Sequence, residues 1–400
     1  MVLGALFLKE SMNRIRVLWE ILMVSTKLGL MSFGGPVAHL GYFHEEYVKR
    51  KKWMDEKTYA DLVALCQFLP GPASSQVGIG IGLTRSGLLG GILAWIGFTM
   101  PSVIALIVFA SLLQSIDVSN AGWIHGLKIV AVVIVAHAVL GMGKKLAPDR
   151  GRATIAVVAM IVTLLWQVAF SSVVVIIIAG IIGFLFYKKE GESAPAITVP
   201  ISKSTGTISL ILFFGLLLLL PVLRHITTLE WIAVFDSFYR AGSLVFGGGH
   251  VVLPLLEKEI VSMGWVSKEE FLAGYGATQA VPGPLFTFAA YLGAVMGGWS
   301  MAMLATIAIF LPAFLLVIGT LPFWSILRSK PKAQGALTGM NAAVVGILLA
   351  ALYHPIWTSS ILAAKDFALA AVLFCMLQFW KLPPWVIVIA GVLGGVIITL

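Results

Sequence analysis

The pattern Phe33-Gly34-Gly35-Pro36 is written twice in this chain, returning as Phe246-Gly247-Gly248-Gly249 with His250 directly after it. Each copy is followed, at nearly the same distance, by a Gln-x-x-Pro-Gly-Pro box. The first box is Gln67 with Pro70, Gly71 and Pro72; the second is Gln279 with Pro282, Gly283 and Pro284. Such clusters interrupt helices, because glycine loses the most backbone freedom on ordering and proline lacks an amide donor and clashes with the preceding turn. In polar sequence they would mark surface loops. Here the flanking sequence is too apolar for that, and the breaks need another setting.

That setting is a membrane. The 400 residues are 59% hydrophobic and only 11% charged, against about 25% charged in ordinary soluble domains. Several apolar runs reach the roughly 20 residues that cross a hydrocarbon core. The expected fold is an all-α polytopic protein whose surroundings are the lipid bilayer. A net charge of +9 raises the question of nucleic acid, but the Lys and Arg residues cluster in short loops between apolar runs. The positive-inside rule accounts for that placement with no polyanionic partner. Cys66 and Cys375 lie in apolar segments without metal-spaced neighbours and read as small core residues, so neither a metal nor a disulfide is expected. Lys9, Arg14 and Arg16 follow a short apolar start that lacks a cleavable signal pattern, and the N-terminus is expected on the cytoplasmic side.

The second half repeats the first at an offset of about 211–213 residues. Lys27 aligns with Arg240, Gly29 with Gly242, Glu46 with Glu259, Trp53 with Trp265, Pro101 with Pro312, and Lys128 with Asn341. The chain divides into a first repeat (1–190), a linker with one extra transmembrane helix (191–226) and a second repeat (227–400). If every apolar run crossed once, the basic loops 49–57 and 144–152 would face opposite sides, against the positive-inside rule. Re-entrant hairpins over 17–47 and 58–83, tipped at the Gly-Gly-Pro and Pro-Gly-Pro breaks, put both loops on one side. About nine full crossings then follow, with the N-terminus in and the C-terminus out. The lone linker span turns the second repeat upside down, an inverted-repeat transporter plan.

Broken backbone at membrane depth is tolerated where it is buried in protein or lines a cavity. Each second limb starts a helix near the midplane, and a helix start offers free N–H groups and about half a positive charge. Four converging starts would present about +2 to an anion. Ser74, Ser75 and Thr287 could add hydroxyl donors. Lys27 and Arg240 precede the tips within apolar sequence, where an ionisable group marks function by default and snorkelling to the interface is the alternative. Arg240 has the fork that grips an oxyanion. Gln67 and Gln279 either donate to a ligand or cap broken backbone. Glu46, Glu259, His250 and Lys128 are candidates for ion coupling, against a reading as solvated or interfacial helix ends. His39, His125 and His137 read as isolated core or interfacial groups.

The Phe-Gly-Gly-Pro-x-x-His opening, its Phe-Gly-Gly-Gly-His-x-x-x-Pro copy and the two Gln-x-x-Pro-Gly-Pro boxes resemble the chromate ion transporter family in its long, two-domain form. The resemblance spans essentially the whole chain. It implies a bacterial inner-membrane protein that exports chromate and gives chromate resistance, with sulfate as competitor or counter-substrate. The family motif falls here on Phe33, Gly34, Gly35, Pro36, Gln67, Pro70, Gly71 and Pro72, and on Phe246, Gly247, Gly248, Gly249, His250, Pro254, Gln279, Pro282, Gly283 and Pro284. Pro36 against Gly249 makes the two tips unequal. The expected activity is secondary transport by alternating access, with no cofactor, since no Gly-x-x-x-x-Gly-Lys-Ser/Thr motif is present. The rivals are a carrier of sulfate or another oxyanion, a passive anion channel, and an intramembrane enzyme, for which no acid/base or nucleophile constellation is visible. Small-residue patterns at 87–91 and 391–395 permit close helix packing, within one protomer or in a homodimer.

Overall fold

The computed structural model describes residues 2–114, 122–166, 171–187, 201–246, 249–324 and 330–399, with side chains from residue 14 onward apart from Val37. Among these residues there are helices and no strand, so the all-α expectation holds. The first repeat contains α1 (Val2–Met31), α2 (Gly35–Phe43), α3 (Glu56–Phe68), α4 (Ala73–Gln114), α5 (Gly122–Leu146), α6 (Arg150–Leu165) and α7 (Ser171–Phe186). The extra linker helix is α8 (Lys203–Ile226); the polar start of the linker lies outside the described residues. The second repeat contains α9 (Glu230–Leu244), α10 (Val252–Leu256), α11 (Lys268–Thr278), α12 (Phe288–Thr320), α13 (Pro331–Ala351), α14 (Ala364–Gln378) and α15 (Pro384–Thr399). Five described helical stretches are long and apolar enough to cross a membrane: Ala73–Leu113, Gly122–Leu146, Lys203–Ile226, Leu285–Phe323 and Pro331–Ser360. Helices α6, α7 and α15 have 16 residues and α14 has 15. At about 1.5 Å per residue they fall short of a hydrocarbon core of about 30 Å.

The duplication is written in the backbone. Within α4, Ser86 (φ −150°, ψ 30°) is followed by Gly87 (φ 63°, ψ −155°). Within α12, Gly297 (φ −165°, ψ 33°) is followed by Gly298 (φ 67°, ψ −153°). Glycine makes this left-handed step at no steric cost. Each step folds its helix back on itself. A Cβ placed on Gly82 would lie 2.3 Å from the Gly90 carbonyl oxygen, whereas residues eight apart in a straight helix are separated by about 12 Å. Caps recur at equivalent places too. Asp55 accepts from the Lys57 and Thr58 amides at the start of α3, and Ser267 forms a reciprocal capping box with Glu270 at the start of α11.

Ion pairs fix the hairpins. Glu20 of α1 meets Lys51 at 2.9 Å and Arg85 at 3.6 Å, and the Arg85 guanidinium sits 4.9 Å over the Trp53 ring. Residues 20, 51 and 85 therefore share one level. The chain leaves that level along α1, breaks at 32–34, returns through α2 and the wide turn His44–Arg50, and makes a second excursion through α3 and the first limb of α4. This is the re-entrant arrangement expected from the charge pattern.

Helix directions give the inversion. The start of α5 lies against the end of α15: Gly122 faces Thr399, and Gly126 faces Gly391 and Gly395. The start of α13 lies against the end of α7: Gly335 faces Tyr187, and Gly339 faces Ala179 and Gly183. Both pairs are antiparallel. Since α6 runs back between α5 and α7, those two are parallel, and α15 runs opposite to its own counterpart α7. The pairing is also exchanged between halves, with α5 on α14 and α15, and α13 on α6 and α7. Gly391 and Gly395 are thus used inside the chain, against α5. The 87–91 pattern is likewise used internally, in the fold-back of α4, where Gly90 meets Gly82 and Gly91 meets Leu83. Both patterns therefore have packing partners within the protomer.

Candidate anion site

Two backbone hydrogen bonds join the breaks of the two halves. The Gly71 N–H donates to the Val245 carbonyl at 2.7 Å, and the Gly283 N–H donates to the Ser32 carbonyl at 2.8 Å. Gly71 and Gly283 are repeat equivalents, as are Ser32 and Val245. One bond is therefore made twice, once in each direction, and each Pro-Gly-Pro turn sits on the first break of the other repeat. The Ser102 hydroxyl adds a bond to the Pro282 carbonyl. Phe33, Gly34, Gly35, Pro36, Pro70, Gly71, Pro72, Phe246, Pro282, Gly283 and Pro284 consequently surround one locus between the halves. Gly247 and Gly248 lie outside the described residues. Helices α2 and α4 start here, and α12 starts one short turn later, after Leu285–Thr287.

The side chains at this locus differ between repeats. Ser74 and Ser75, in the first turn of α4, are each 2% exposed. The Ser74 hydroxyl lies 3.2 Å from His39 Nδ1. Ser32 Oγ, His39 Nε2 and Ser75 Oγ are buried without a hydrogen-bond partner among the described residues. In the second repeat the Thr287 hydroxyl is turned back onto the Pro284 carbonyl at 2.8 Å. His250 Nδ1 lies 2.7 Å from the Tyr275 hydroxyl, beside Gly249. Gln67 is exposed on α3, whereas the Gln279 amide nitrogen is buried and unpartnered. The amide that braces the first Pro-Gly-Pro turn is Gln76, which donates to the Pro70 carbonyl at 2.8 Å. Sequence reading passed over Gln76, and it took His39 for an isolated group; its Ser74 contact corrects that. His125 is not isolated either, since its Nε2 meets Asp366 at 2.8 Å.

The charged candidates sit away from the tips, near the hairpin bases. Lys27 meets Glu46 at 3.2 Å, and Arg50 meets the same carboxylate at 3.1 Å. Their equivalents Arg240 and Glu259 are paired at 2.8 Å, and here the pair grows into a network. Arg240 also grips Asp236 at 2.9 Å, and Arg224 of α8 reaches Asp236 at 3.1 Å and Glu259 at 3.3 Å. Asp236 is fully buried and Arg240 is 8% exposed. Arg224 lies over Trp265 as Arg85 lies over Trp53. Lys258 donates to Ser171 at 2.6 Å and Ser172 at 3.2 Å, and with Arg240 and Glu259 it lines a small cavity against α7. Lys128 is half-buried on α5, next to Leu127, whose carbonyl backs onto Gly276 of α11. Among the described residues no group of three or more His, Cys, Asp or Glu side chains could hold a metal ion.

A sequence model of the chromate transporter family matches residues 19–184 and again 232–396. The chain is 27% identical over 328 residues to a chromate transport protein of Pseudomonas aeruginosa, covering 80% of this chain and 77% of that protein. It is 26% identical over 396 residues to a chromate transport protein of Cupriavidus metallidurans, covering 94% and 92%. An uncharacterized transporter of Bacillus subtilis is 30% identical over 173 residues, which is 42% of this chain but 97% of that protein, about one repeat. No solved structure matches the chain.

Proposed function

The chain belongs to the chromate transporter family, and on that premise we propose that it is a secondary transporter, exporting chromate across a bacterial inner membrane by alternating access and so conferring chromate resistance. The observation that carries this reading is the reciprocal docking of the breaks, Gly71 on Val245 and Gly283 on Ser32. It gathers helix starts from both halves at one buried locus, where free N–H groups and the positive ends of helix dipoles favour an anion. Backbone and hydroxyl donors suit a tetrahedral dianion, which offers only oxygen acceptors. The tip residues are assigned to anion binding. Lys27 and Arg240 stand behind them as ion-paired cations, and Glu46, Glu259, His250 and Lys128 are the groups assigned to coupling. Two oppositely oriented repeats that touch through their hairpin tips can rock about that contact, exposing the locus to one side and then the other. The N-terminus faces the cytoplasm, and the units are 1–190, 191–226 and 227–400. Sulfate, with the same shape and charge, is the expected competitor.

Chromate content in cells expressing the chain, against cells with an empty vector, tests both cargo and direction. Content should fall in expressing cells and stay low when excess sulfate is added outside. An unchanged content, or a rise that external sulfate suppresses, would contradict export and favour an importer of sulfate type or a channel.

A further inference from the structure

The two tips share a backbone but not a chemistry. Ser32, His39 and Ser74 are buried in the first repeat, at 0%, 1% and 2% exposure. At the equivalent places the second repeat has Val245, the pair Val251 and Val252, and Phe286, all buried to 1% or less. At these three places the turn is therefore built with apolar side chains in one half and polar ones in the other, while Ser75 keeps a polar equivalent in Thr287, whose hydroxyl is turned back onto the Pro284 carbonyl. Burying polar groups without partners is unfavourable, and the second repeat shows that the fold does not require them. Yet Ser32 Oγ, Ser75 Oγ and His39 Nε2 all lack hydrogen-bond partners among the described residues. His39 stands between the first repeat's two breaks, with Nδ1 at 3.2 Å from Ser74, its ring within hydrogen-bonding reach of the Ser32 backbone carbonyl and edge-on to Phe98 at 5.5 Å. Ser32 in turn receives Gly283 of the opposite half.

From this asymmetry we infer that the anion is held off-centre, on the first repeat, by His39 together with the Ser32 and Ser75 hydroxyls. With Ser74 donating to Nδ1, the imidazole keeps its proton on Nε2 and presents a neutral N–H to an anion oxygen. Among the described residues the second tip contributes backbone, through Gly283, and the unpartnered Gln279 amide, but no unpartnered hydroxyl. This inference rests on the reading of the locus as an oxyanion site, and it names which side chains make the contact.

The test is binding of chromate and of sulfate to the purified full-length protein, with ligand-free melting measured alongside. His39→Val, which installs the second repeat's residue, should weaken binding by about 10- to 100-fold, the effect of one lost hydrogen bond to a charged group. Its ligand-free melting temperature should not fall. His39→Gln, whose amide can reach the Nε2 position, should bind within about threefold of wild type. If the valine variant does not fold, Gln and Glu at the same position decide, since the carboxylate should bind at least about tenfold more weakly than the amide. A folded valine variant that binds like wild type, or equal binding by the Gln and Glu variants, overturns the inference while the transport reading stands. Wild-type protein that binds neither anion overturns both.

Discussion

Gly283→Ala should abolish transport while leaving membrane insertion intact. Gly283 has φ +103°, where any other residue is strained by about 1–2 kcal/mol. A Cβ there would lie 2.3 Å from Ser102 Oγ and 3.5 Å from the Phe98 carbonyl oxygen. The serine is not free to swing aside, because it donates to the Pro282 carbonyl. Moving Gly283 instead breaks its 2.8 Å bond to Ser32 and separates the second repeat's turn from the first repeat's tip. Gly71 is the control. It has φ +114°, but an added Cβ meets only the Gln76 amide at 3.1 Å and the Gly242 carbonyl at 3.6 Å, so Gly71→Ala should be milder. Combining Gly283→Ala with Ser102→Gly removes the overlap and keeps the backbone strain, and should recover part of the activity. Chromate flux into sealed vesicles reads all three variants. Wild-type flux in Gly283→Ala would remove the docked turn from the mechanism.

The second large effect is on stability. Arg240→Ala strands Asp236, which is fully buried, and leaves it with Arg224 alone among the cations paired to it. Removing one partner of a buried ion pair costs about 3–5 kcal/mol, and a melting temperature well below wild type should result. Lys27→Ala deletes the repeat-equivalent cation, but the Lys27 side chain is 43% exposed and Glu46 keeps Arg50. That change should cost less than about 1 kcal/mol. The contrast is the test, because the two positions are equivalent in sequence and unequal in burial. Asp236→Asn with Arg240→Gln, which removes both charges, should recover part of the loss. If Arg240→Ala melts like wild type, the network around Glu259 does not hold the second hairpin closed.

Much of the architecture was legible because its determinants are local. Glycines and prolines inside apolar sequence announced the breaks, and the basic loops at 49–57 and 144–152 required re-entrant hairpins. The duplicated motifs carried the repeat, and the odd linker helix α8 carried the inversion. What the sequence hid depends on long-range pairing. The exchange of the two Pro-Gly-Pro turns between halves is made by backbone bonds, which have no side-chain signature. Gly391 and Gly395 announced a close approach without naming α5 as the partner. Asp236 stands one turn before Arg240, a signal that the arginine would be ion-paired, but Arg224 joins from another helix. His39 looked like any core histidine until its serine neighbours and the valines of the second repeat were set beside it.

Locating the anion directly tests whether the converged breaks form its site. Chromium gives anomalous scattering, so crystals of the protein grown with chromate would mark the ion by element. The expected peak lies between the two docked turns, with its oxygens within hydrogen-bond reach, about 3 Å, of His39 Nε2 and Ser75 Oγ. A single peak in the cavity lined by Arg240 and Lys258, with the tips empty, would contradict the site and move recognition to the hairpin base.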